Sequence, residues 1–394
     1  MKQQKPRVQT GLEVCIKEKW YLFSGRKVAL LAHAASVCRR LHNILTHLRS
    51  AQNVQLVRVF EPEHGFWGIA QDMESVQPGA GDVEFISLYG ASQDTLRPKP
   101  EHFADIDVLI CDLVDVGSRY YTFVNSTILA AETAYQAGVE VWLLDRPNPL
   151  GGKKIEGPHL LPGWESFVGL CNIPVRHALS FAELVRFACH LRGMPMEHLP
   201  RCIPCRGWHR GMWWDDTGLP WVMPSPNMPT LDTAIVYPGA CLLEGTTLSE
   251  GRGTTRPFEI LGAPGIDGER LVQSIGEVPG AVLRPIRFKP TFHKHANQIC
   301  GGVQVHVRQR RLFQPFLTYV RILAAVMQLF PESFGWRQTP YEFVTDRKAF
   351  DLLAGSESLR IRLEAGENPI DIVQDLQYPI AQWKKEIRPF LLYH

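Results

Sequence analysis

The sequence carries almost no net charge: 42 lysines and arginines face 40 aspartates and glutamates, leaving +2. That balance excludes the broad basic face that nucleic acid or an anionic membrane requires, so neither is expected as a main partner. No stretch approaches the ~18 consecutive apolar residues of a membrane span. Met1 to Thr10 is polar and basic and lacks the apolar centre and cleavage site of a secretory leader. The nine cysteines are odd in number and irregularly spaced, so a disulfide framework is not expected. A reducing, cytoplasmic setting is therefore the expectation. Three motifs are also missing: the Gly-x-x-x-x-Gly-Lys-Ser/Thr loop, Gly-x-Gly-x-x-Gly after the first strand, and the Gly-x-Ser-x-Gly elbow. Their absence argues against a phosphate cradle, a dinucleotide site and a serine hydrolase of that type. Cys202-Ile-Pro-Cys205 with His209 has half of a zinc spacing and no second pair, and His293 and His295 merely alternate; all are read as structural.

With 394 residues, 45% of them hydrophobic, the chain is long enough for two domains with sizeable cores. Apolar runs at 26–33, 54–60, 83–88, 106–114 and 139–144 read as strands. Helical spacing at 37–48 and 122–137 falls between them. A further helix over 180–193 opens with a Ser180/Glu183 capping box. This alternation predicts an α/β fold, a Rossmann-like, mainly parallel sheet with helices on both faces. The proline-dense segment 217–229 ends it, giving a first domain of residues 1–230. Residues 231–394, with alternation over 302–307 and helical spacing at 313–329 and 358–364, should form a smaller α+β domain packed on the first.

The stretch Val59-Phe-Glu-Pro-Glu-His-Gly-Phe-Trp-Gly68, followed by Glu74, puts three carboxylates and a histidine just beyond a predicted strand. Carboxylates crowded at a strand end have their acidities driven apart, which supplies the proton donor and acceptor that bond hydrolysis needs. The alternative is a solvated acidic loop. Other polar residues at strand ends converge on the same sheet edge: His33, Asp115 with Arg119, Tyr120 and Tyr121, then Asp145 with Arg146. Carboxylate and guanidinium suit sugar hydroxyls or a ligand carboxylate, and the rings suit a sugar face. The same pairs also fit structural ion pairing. Ser249-Glu-Gly-Arg-Gly-Thr-Thr-Arg256 could hold an anion, or Arg252 could clamp two loops together.

Five segments occur in order: Glu61-Pro-Glu-His-Gly-Phe-x-Gly68, Asp115-Val-Gly-Ser-Arg-Tyr-Tyr121, Leu144-Asp-Arg-Pro-Asn-Pro149, Pro224-Ser-Pro-Asn-Met-Pro229 and Glu250-Gly-Arg-Gly-Thr-Thr255. Together they resemble the exo-β-N-acetylmuramidase family, from about Gly25 to Leu391-Leu-Tyr393. The resemblance implies a Rossmann-like domain, a smaller C-terminal domain and a site in the cleft between them. It also implies release of N-acetylmuramic acid from the non-reducing end of peptidoglycan fragments, with no metal or organic cofactor. Glu74 is then the expected acid, and Glu63 the base, nucleophile or orienting group, helped by His64. Asp115, Arg119, Tyr120, Tyr121, Asp145, Arg146, Asn148, Asn227, Glu250 and Arg252 are expected to bind the sugar. A non-catalytic binder of muropeptides is the rival expectation. Where many relatives have Thr-Asn-x-Thr-Gly this chain has Ala32-His-Ala-Ala-Ser36, Trp67 replaces a usual arginine, and Thr247 an asparagine. Stereochemistry and oligomeric state are not encoded legibly.

Overall fold

The computed structural model describes residues 8–71, 73–75 and 83–394. Six parallel strands form the main sheet: β1 (Lys27–Ala32), β2 (Gln55–Glu61), β3 (Glu84–Ser87), β4 (Val108–Asp112), β5 (Glu140–Leu144) and β6 (Arg201–Ile203), in the order β3-β2-β1-β4-β5-β6. The central strands β1, β4 and β5 run almost wholly apolar because both faces are covered, whereas the flanking β2, β3 and β6 carry polar, partly exposed residues. Ala29, Leu31, Leu109, Cys111 and Leu143 belong to one apolar layer, whereas Val28, Leu30, Val108, Ile110 and Leu144 belong to the other. Successive side chains thus feed opposite layers, as strand geometry dictates.

Besides the short α1 (Gly11–Val14), the helices of this first part include α2 (Ile44–Ser50), α3 (Thr122–Gln136) and α4 (Phe181–Leu191). Ser180 caps α4, and Glu183 returns the bond to the Ser180 amide, the capping box expected. The helix expected over 37–48 begins only at Ile44. Cys38 N donates to His42 O at 3.0 Å and Leu41 is left-handed at φ 63°, so the first half is a tight turn; Asn43 then caps α2 through the Leu45 amide. Strand β6 went unread because its three residues are too short to show a period.

A smaller antiparallel sheet completes the fold, ordered β7 (Ile260–Ala263), β9 (Cys300–Val307), β8 (Ala281–Phe288). The helix Pro315–Leu329 packs on the helices Leu231–Ala240 and Gly268–Ile275. The chain end returns to the first sheet. Trp383 Nε1 donates to His177 O at 3.0 Å, Cys205 N donates to the Tyr393 hydroxyl at 2.7 Å, and that hydroxyl donates to Asp145. One apolar core therefore runs through both parts. Among the described residues, no helix is long and apolar enough to cross a membrane, and all nine cysteines are free thiols.

Candidate active site

In this strand order the crevice at the carboxyl ends of β1 and β4 is where a doubly wound sheet holds its ligand. Here His33 fills it. The Val114 amide donates to His33 Nε2 at 3.1 Å, so the ring proton sits on Nδ1, which faces Pro224 O at 3.1 Å. Burial, reinforced by Arg146, pushes the imidazole down to about 3. A neutral ring therefore bridges three loops. A depressed folded-state value means that stability is fully present above pH 6.5 and is lost as pH falls towards 3. His33→Asn, which removes the titration and keeps a polar side chain, is expected to flatten that decline. Urea midpoints between pH 7 and 4 should fall more steeply for the parent chain than for the variant; equal slopes would refute this role.

A narrow crevice lies beyond the carboxyl ends of β2 and β4 and encloses about 40 Å³. That is small beside the roughly 300–1,000 Å³ of most small-ligand sites, so a ligand enters as the walls part. From the β2 side come Glu63 and His64, both buried. Thr122 Oγ1, in the first turn of α3, donates to Glu63 Oε2 at 2.5 Å. The positive end of the α3 dipole thus lies beside this carboxylate. His64 is left-handed at φ 69°, a conformation that costs a non-glycine residue roughly 1 kcal/mol or more. Its Nδ1 faces Ala70 O at 2.9 Å, which leaves Nε2 as the basic nitrogen. Tyr121, Phe123, Tyr237 and Phe258 make an aromatic wall, with ring centroids 4.9 to 5.9 Å apart. The Tyr121 hydroxyl is buried beside Ser225 without a hydrogen bond of ordinary geometry.

The second part closes the crevice. Gly251 and Gly253 are both left-handed, at φ 83° and 79°, and a Cβ on either would strike a backbone carbonyl at 2.6 Å. They turn the chain around Arg252, whose Nη1 donates to Glu244 at 2.8 Å and Glu250 at 3.1 Å. Burial opposes the charge on Glu250, but Lys294 at 2.8 Å, His293 and Arg252 prevail and hold its carboxyl well below the usual range. Arg252 and Glu244 reach the crevice; Glu250 supports them from behind. Asn227 also lines it and donates to Gln71 Oε1 at 2.9 Å. Gln71 N in turn donates to Glu74 at 2.7 Å. Glu74 itself is exposed and outside the crevice lining, joined to it through Gln71 and Asn227.

The structure gives several of the expected sugar ligands other partners. Arg119 donates to the carbonyls of Pro158, Ile173 and Leu353 at 2.7 to 2.9 Å, joining the two parts of the chain; burial lowers its guanidinium to about 10. Arg146 forms a buried two-pronged pair with Asp112 at 2.5 and 2.8 Å. Asp145 accepts from Ser180, Ala182 and Tyr393, and burial pushes it up to about 7 against those donors. Asn148 bridges Leu150 N and Leu179 O; Asp115 accepts from Gly117 N, with His177 Nε2 3.4 Å away. These residues brace the strand-end loops behind the site. Tyr120 both lines the crevice and donates to Pro238 O at 3.0 Å.

Glu244 and Glu342 line the crevice and were missed. Glu244 opens the glycine-rich loop and could have been suspected from it. Glu342 left no trace in the sequence: it sits with Phe343 in a two-residue turn, both left-handed, where Asn-Gly is the usual pair. Tyr89 holds it by donating to Glu342 at 2.9 Å. A wider groove lies on the small sheet, around Asp267, Glu269, Pro285, Arg287 and Ile299; Asp267 there caps the helix Gly268–Ile275.

Fold and site together define a doubly wound α/β protein with an acid-lined, aromatic-walled crevice capped by a second module, the layout of a saccharide-processing enzyme. The profile of "Exo-beta-N-acetylmuramidase NamZ, N-terminal" matches residues 28–232 and that of the corresponding C-terminal domain matches 235–393. The chain belongs to the exo-β-N-acetylmuramidase family. It is 35% identical over 391 residues to the peptidoglycan β-N-acetylmuramidase NamZ of Bacillus subtilis (strain 168), covering 99% of this chain and 92% of that protein. Two crystal structures of DUF1343 family proteins from Bacteroides fragilis NCTC 9343 are also similar. One has TM-score 0.86 at 29% identity, covering 99% of this chain and 100% of the other; the second has 0.72 at 25%, covering 98% and 99%.

Proposed function

We propose that the chain is an exo-acting glycoside hydrolase that removes N-acetylmuramic acid from the non-reducing end of peptidoglycan fragments by carboxylate chemistry. The observation that best supports this is Glu63, a buried carboxylate held by Thr122 on the wall of a narrow crevice, with exposed Glu74 linked to the lining Asn227 through Gln71. An exo-enzyme buries the terminal sugar, so the scissile oxygen lies at the mouth and its proton donor belongs on the rim. Glu74 is the acid in this reading, and Glu63 acts beneath the ring as base, nucleophile or orienting group, with His64 beside it. The aromatic wall offers faces to the sugar, and Asn227 and Tyr121 offer polar groups to its substituents. For the lactyl carboxylate we assign Arg337, half-buried over the Tyr341 ring at 5.1 Å and in contact with Met73, next to Glu74. No carboxylate pairs with it among the described residues. The free thiols support a reducing compartment.

Glu74→Gln tests the roles. A general acid matters most when the leaving group is poor. Turnover of a MurNAc-β-1,4-GlcNAc disaccharide should drop by roughly 10²–10⁴-fold, whereas a p-nitrophenyl β-MurNAc glycoside, with its good leaving group, should lose far less. Equal losses, or none, would remove Glu74 from the acid's role. A parent chain that binds but releases no nitrophenol would be a binder rather than a hydrolase.

A further inference from the structure

We propose that Cys38, His42 and His47 form a binding site for a zinc-class divalent ion, separate from the crevice and independent of the glycosidase reading. One ligand atom from each residue lies within 4.8 Å of the other two. The fold brings them together by the same turn that broke the expected helix. Cys38 N donates to His42 O, and Leu41, left-handed, reverses the chain so that both side chains flank the turn. Asn43 then starts α2, and His47 comes round one turn later beside His42, ring centroids 6.0 Å apart. The thiol is buried, His42 is exposed, and His47 Nε2 is buried with no hydrogen-bond partner.

An imidazole nitrogen buried without a hydrogen-bond partner, in a residue grouped this closely with a thiol and a second imidazole, is a candidate metal ligand. Thiolate with two neutral imidazoles is a borderline-soft set that selects zinc over magnesium or calcium. Bonds of about 2.3 Å to sulfur and about 2.0 Å to nitrogen ask the three atoms to close by roughly an ångström, a matter of side-chain rotation. On binding, the Cys38 thiol releases its proton to solvent and its electron pair goes to the metal. Arg39, which could have opposed a cation, is turned away: its guanidinium donates to Gly218 O and Val8 O. No fourth histidine, cysteine or carboxylate joins the group among the described residues, so water completes the tetrahedron. The ion would tie the turn to α2. The same segment carries Ser36, which accepts from His33 N at 3.0 Å, and the His33 ring packs on Phe123 in the crevice wall. Its role is that of a brace behind the site, with no part in bond cleavage.

Cobalt reports on such sites directly. The full chain, stripped with chelator and kept reduced, should bind one equivalent of Co²⁺ with a sulfur-to-cobalt charge-transfer band and intense four-coordinate visible bands, both displaced by Zn²⁺. Cys38→Ser should lose the charge-transfer band, while a Cys202→Ser/Cys205→Ser control should keep it. His42→Asn, at an exposed position that leaves the fold intact, should weaken binding at least tenfold. Zn²⁺ should raise the thermal midpoint of the parent chain and leave that of His42→Asn unmoved. Absence of a thiolate band, its survival in Cys38→Ser, or unchanged affinity in His42→Asn would overturn the site.

Discussion

Glu63→Gln is expected to abolish release of N-acetylmuramic acid from a β-glycoside, by roughly 10²–10⁴-fold or more, while leaving the protein folded. The substitution keeps shape and volume, and the Thr122 hydroxyl can donate to an amide oxygen as it does to the carboxylate at 2.5 Å. What disappears is the negative charge and the ability to take a proton or attack a carbon. No ion pair ties Glu63 to the rest of the fold among the described residues, so the urea midpoint should barely move. Turnover and circular dichroism measured on the same sample separate the two effects. A fully active Glu63→Gln would transfer the chemistry to Glu244 or Glu342, the other carboxylates of the crevice.

Arg146→Ala is expected to act in the opposite way, on the fold rather than on the chemistry. Its guanidinium and the Asp112 carboxylate are both almost completely buried and meet through two bonds. Burial disfavours the arginine's charge, yet Asp112 more than compensates and raises its guanidinium above the ordinary value. Removing one partner strands the other charge in the interior, at a cost of about 3–5 kcal/mol. Replacing both together, Arg146→Met with Asp112→Leu, should cost much less, because no charge is left behind. Urea unfolding of the two variants decides the matter. A double variant as unstable as the single, or a single variant that stays stable but loses substrate affinity, would restore Arg146 to the sugar site.

That contrast shows what the sequence could and could not express. Strand and helix periods made the parallel sheet legible, because alternate residues of β1, β4 and β5 feed two apolar layers. The acidic loop after β2 announced itself by composition. The strand-end arginines and aspartates were equally visible, but a strand end does not say whether a side chain points into the crevice or back under it. Arg119 and Arg146 point back, to carbonyls and to Asp112. Asp112, the partner that settles the matter, reads in sequence as one polar residue at the end of an apolar run. Glu342 was invisible for another reason: its turn uses two residues that turn chemistry disfavours, and a tertiary bond from Tyr89 helps hold it in place. The turn of Cys38 to His42 hid inside an apparent helical period, since Leu41 and Ile44 fit that spacing as well as they fit a reversal.

The most direct test of the whole account is a product analysis on two disaccharides of opposite sequence. If a single terminal muramic acid is what the crevice between Glu63 and Glu342 receives, MurNAc-β-1,4-GlcNAc is split into its two sugars, while GlcNAc-β-1,4-MurNAc is left intact. Cleavage of the second substrate, or of neither by a folded sample, would contradict it.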